Sequence, residues 1–62
     1  MATAIDVVIK ELEERRESIA QALLSGSAKD FAEYRDLCGE IRGLSRAHAF
    51  ITDLARKMEN DE

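Results

Sequence analysis

An all-α fold, an antiparallel helical hairpin whose second helix is the longer, is what this sequence predicts, and three observations carry the prediction. The 62 residues contain no proline, only three glycines and 35% charged side chains, a composition that favours helix throughout. Apolar residues recur in steps of three and four along two separate stretches. A single short break, Leu24-Ser25-Gly26-Ser27, divides them. The expected organisation is one domain over residues 1–62, with a helix over 4–24, a link over 25–27 and a helix over 28–59.

The first helix opens at Thr3, whose hydroxyl is placed to cap the amide of residue 5 or 6, with Asp6 at the third helical position. An acid there also complements the helix dipole. Asp6 with Lys10 and Glu11 with Arg15 form acid-first pairs four apart, each contributing about 0.2–0.5 kcal/mol to an exposed helix. The run Glu11 to Glu17 has one apolar residue, Leu12, and predicts a solvated helix middle. Gly26 can adopt the positive φ that ends a helix, and the flanking serines weaken continuation. Ser27 and Asp30 read as a capping box that starts the second helix. A link this short predicts antiparallel neighbours. At about 1.5 Å per residue the second helix would run roughly 45 Å and the first roughly 30 Å.

Tyr34, Leu37, Ile41, Leu44, His48, Ile51, Ala55 and Met58 form a heptad-like seam on the second helix. Its counterpart on the first is Ile5, Val8 or Ile9, Leu12, Ile19 and Leu23. If residue 24 faces about residue 28, residue 5 reaches only about residue 48. Phe50, Ile51, Leu54, Ala55 and Met58 would then overhang with no partner in the chain. A domain this small is marginal without reinforcement. One cysteine excludes an internal disulfide, and one histidine with one cysteine cannot build a structural zinc site. Self-association, or docking on a larger protein, is the support that remains.

A second face of the later helix carries Gly39, Gly43, Ala47, Phe50 and Leu54. Its mean direction lies more than about 100° from the seam at 100° per residue. Small residues four apart allow close helix approach. Something should also offset the cost of about 1 kcal/mol for each interior glycine. The predicted protein-interaction residues are therefore Gly39, Gly43, Ala47, Phe50, Ile51, Leu54 and Met58. Arg35, Arg42 and Arg46 cluster elsewhere on the same helix and read as a solvated surface that pairs with glutamates and water.

Nothing in the chain spells out a reaction. His48 sits in the seam and reads as a packing residue; if it is half-buried, protonation near pH 6 would loosen assembly. Cys38, at the seam edge, has no histidine within a turn and reads as packing too. Glu13 and Glu17 lie on exposed helix with no cleft to shift their ionisation. No glycine-rich phosphate loop and no metal-ligand spacing occurs. The expectation is a non-enzymatic chain with no cofactor and no metal.

The net charge of −4, with acids gathered at Glu59, Asp61 and Glu62, opposes general nucleic-acid binding. No apolar run is longer than Val7-Val8-Ile9, far short of the roughly 20 residues that span a bilayer. Residues 1–6 show neither the basic region nor the apolar core of a secretion signal. Synthesis in the cytoplasm and no membrane association are expected.

The stretch from Asp30 to Leu44 contains Glu33-Tyr34-Arg35, Leu37, Gly39, Ile41 and Gly43-Leu44 in a row, followed by Ile51 and Leu54. This block resembles one found in small helical proteins of tailed bacteriophages, and the resemblance extends over about 23–58. It implies a phage origin and a place among virion structure or assembly components, such as the capsid, portal or head–tail region. It brings no catalytic or binding residue with it. The leading expectation is a virion component that packs in multiple copies on itself or on a larger phage structural protein. The alternative is a small acidic phage regulator that binds and inhibits a host factor.

Overall fold

The computed structural model describes residues 3–60; the terminal residues 1, 2, 61 and 62, including the acids Asp61 and Glu62, lie outside the described residues. Two helices account for most of it: α1, Ala4–Leu24, and α2, Phe31–Asn60. They pack antiparallel into a rod about 49 × 19 × 13 Å.

Local chemistry explains both ends of α1. Thr3 Oγ1 accepts from the Asp6 amide at 3.1 Å, and Asp6 Oδ2 accepts from the Thr3 amide at 3.2 Å. This is the reciprocal capping box expected there. At the other end Gly26 has φ +76°. Its amide donates to Leu23 O at 3.1 Å, and the Ser27 amide donates to Ala22 O at 3.0 Å. That pair of bonds is a Schellman motif, which satisfies carbonyls that the helix end would leave unpaired. Ser25 Oγ donates to Ala22 O at 3.0 Å and lies 2.8 Å from Ser27 Oγ.

The link is longer than 25–27. Ser27 does not cap α2; Asp30 does, with Oδ1 accepting from the Glu33 amide at 2.8 Å and its carbonyl accepting from the Tyr34 amide at 3.0 Å. The second helix therefore begins at Phe31 rather than at residue 28. Two candidate caps three residues apart competed, and the carboxylate of Asp30 won. A carboxylate accepts more strongly than a hydroxyl and also favours the positive end of the dipole.

The pairing register differs from the expected one by about two turns. His48 Nε2 lies 2.9 Å from Glu13 Oε2, and Arg16 Nη1 donates to Ser45 Oγ at 3.4 Å. Thr3, Ile5 and Asp6 line one groove with Ala55, Met58 and Glu59. The N-terminal end of α1 thus lies against the C-terminal turns of α2, and Ile51 and Ala55 are half-buried. The predicted overhang at Phe50–Met58 does not exist. The unmatched part of α2 is instead its start, about residues 31–36, which stands beyond the end of α1. Leu24, Phe31 and Tyr34 are exposed there, with the two rings stacked at 6.2 Å.

The seam itself follows the predicted positions. Ile5, Ile9, Leu12 and Leu23 of α1 and Leu37, Ile41, Leu44, His48, Ile51 and Ala55 of α2 are half-buried. Ile9 rather than Val8 takes the ambiguous place, and Tyr34 and Met58 at the seam ends are exposed. Ile19 alone among the described residues is buried, at 7% exposure, and no side chain is fully enclosed. The acid-first pairs Asp6–Lys10 and Glu11–Arg15 do not close to ion-pair distance; the bridges found are Glu13–His48, Asp53–Arg56 and Asp53–Lys57.

Four substitutions test this description by chemical denaturation followed by circular dichroism. Ile19→Ala should cost about 2–5 kcal/mol, comparable to the whole stability of a chain this size, whereas Leu24→Ala should stay within about 0.5 kcal/mol. Gly26→Ala should cost about 1–2 kcal/mol for backbone conformation alone, because an added Cβ would meet nothing within 4 Å; Gly26→Asn should cost less.

Candidate interaction surface

A hairpin of two helices has two broad sides, and here they differ in chemistry. The direction of each side chain follows from the helical period and from which residues face the other helix. One broad side carries the polar bridges between helices, Glu13 to His48 and Arg16 to Ser45. Arg16 is half-buried in the α1 seam, at the step that an apolar count passes over. His48, half-buried in the seam, is thus held by a contact across the helices as well as by packing.

The other broad side is apolar. Val8 of α1, 45% exposed, lies level with Leu54 and Met58 of α2, exposed by 40% and 54%. Half-buried Ile51 and Ala47 fill the space toward the seam. Val7, 51% exposed, and Phe50, 72% exposed, extend this surface to its outer edges. Of the predicted interaction residues, Ala47, Phe50, Ile51, Leu54 and Met58 thus belong to one continuous surface. Val7 and Val8 were not predicted to belong to it. Their run with Ile9 was a visible signal, but only the register places them beside Leu54.

Gly39 and Gly43 are exposed further along the outer edge of α2. A Cβ at either position would meet nothing within 4 Å, so packing inside the hairpin does not require glycine there. Arg35, Arg42 and Arg46 are all exposed, and none makes an ion pair among the described residues. The expected pairing with glutamates is absent among the described residues. Asp53 is paired instead: Arg56 Nη2 donates to its Oδ1 at 2.6 Å and Lys57 Nζ lies 3.4 Å from Oδ2. The Arg56 hydrogen bond first, and Lys57 after it, hold the Asp53 carboxyl below the usual carboxylate range. Any support from these pairs is therefore lost only as pH falls through that lowered value.

Cys38 is a half-buried free thiol beside the seam. Among the described residues no group of three His, Cys, Asp or Glu side chains is placed to hold a metal ion. The groove between Ile5 and Met58 is a shallow feature of about 260 Å³ at the open end of the hairpin. Among the described residues no helix is long and apolar enough to cross a membrane. Compared with family models, curated proteins and solved structures, the chain matches none.

The glycines give a test with two opposed readouts. Gly39→Ala with Gly43→Ala should stabilise α2 by about 1 kcal/mol per site at high dilution. If the strip packs against another helix, the added methyl groups should weaken that association. A stabilised helix with unchanged association, measured by sedimentation, would remove the strip from the interaction surface.

Proposed function

We propose that this chain is a non-enzymatic protein-interaction module, a virion component of a tailed bacteriophage that packs in multiple copies on itself or on a larger symmetric assembly. One observation carries the interaction part: the apolar side chains of Val7, Val8, Phe50, Leu54 and Met58 stand exposed while, among the described residues, Ile19 alone is buried. Soluble monomers rarely leave a contiguous apolar surface of several hundred Å² uncovered, and those that do use it for binding. The phage part rests on the resemblance of the Asp30–Leu44 block. A position in the capsid, portal or head–tail region suits a short rod that can be repeated around a symmetry axis.

Mass spectrometry of purified particles tests the role. Peptides of this chain should appear in a fixed ratio to the major capsid peptides. Their absence, beside abundant capsid peptides, would overturn it. Recovery of a stoichiometric host enzyme in a pull-down from host lysate would then favour the small acidic regulator instead.

A further inference from the structure

We infer that the first partner of the apolar side is a second copy of this chain, the two hairpins pairing about a two-fold axis to close a four-helix bundle. This inference rests on the interaction reading above and adds the partner's identity and the surface used.

Surface area supplies the first argument. A compact monomer of 7.0 kDa would expose about 4,000 Å² by the usual scaling with mass. This chain exposes 5089 Å². The excess is roughly 1,000 Å², close to the ~800 Å² that each partner buries in a standard interface. A second hairpin would bring the chain to the exposure of an ordinary folded protein.

The chemistry of the surface supplies the second. A two-fold contact is made by one patch with itself, so the patch must complement itself. Val8, Ile51, Leu54 and Met58 do so because apolar contact has no polarity to match. Around them stand Glu11, Arg15 and Lys57, carrying both signs of charge, so a copy meets no single-sign rim. The opposite broad side presents Glu13, Arg16, Ser45 and His48 already engaged across the helices and offers no such patch. Packing across the apolar side would also place Leu54 and Met58 in an interior bounded by four helices, which is how bundles of this length enclose a core.

Sedimentation equilibrium on the full chain reads the mass directly, with twice 7.0 kDa expected for the wild type. Leu54→Glu and Met58→Glu should each raise the dissociation constant by roughly tenfold or more, since a carboxylate would be buried. Ala49→Glu, on exposed helix away from this side, should leave it unchanged. Isotope-filtered NMR on mixed labelled and unlabelled wild type needs no variant to fold. It should show contacts between copies from the methyl groups of Val8, Leu54 and Met58. A wild type that is monomeric throughout, or contacts between copies confined to other residues, would overturn the inference. A monomer that is nonetheless present in particles would sink this inference and spare the proposed role; a dimer missing from particles would do the opposite.

Discussion

Two helices touch along a single line, and a line cannot surround a side chain. That constraint governs this molecule. Each seam residue is covered on one flank by the other helix and left open on at least one other, so Ile19 alone is buried among the described residues. Apolar burial of this extent contributes little against the entropy of ordering some sixty residues. The geometry accordingly pushes stabilisation outward, to whatever covers the apolar side. The Schellman turn and the Thr3 capping box hold the ends of α1 without any such cover.

The middle of the rod does different work. Glu13–His48 and Arg16–Ser45 join the helices about halfway along, on the side away from the exposed apolar residues. Exposed polar pairs add little stability. They do specify alignment, because sliding one helix by a turn would break both contacts and leave half-buried Arg16 without a partner. Apolar seams tolerate such slippage more readily, since one leucine serves much like the next. Register here is a polar property and burial an apolar one.

That division explains what the sequence made legible. The bounds of α1 were readable from Thr3, Asp6 and Gly26, each acting through local hydrogen bonds or backbone conformation. The two seams were readable because periodicity survives whatever the neighbouring helix does. The start of α2 was misjudged because Ser27-x-x-Asp30 and Asp30-x-x-Glu33 both satisfy a capping pattern, and sequence alone does not rank them. Register was lost with it, since counting apolar positions skips Glu13 and Arg16, the two α1 residues that fix it. Leu54 and Met58 could be placed on a helix face from sequence. Their meeting with Val7 and Val8 on one surface could not, because it depends on both the register and the handedness of two antiparallel helices.

The projecting start of α2 has a consequence for the dynamics of the rod. The tight turn of a helical hairpin is commonly its firmest end, yet here the closed end lacks a second helix beside residues 31–36, and Leu24 and Phe31 are 80% and 71% exposed. Backbone amides in that stretch depend on the Asp30 cap and on bonds within a single helix. Local opening concentrates where few apolar contacts oppose it. Amide exchange should therefore run fastest next to the bend and slowest around Ile19, so that this hairpin loosens first at its elbow.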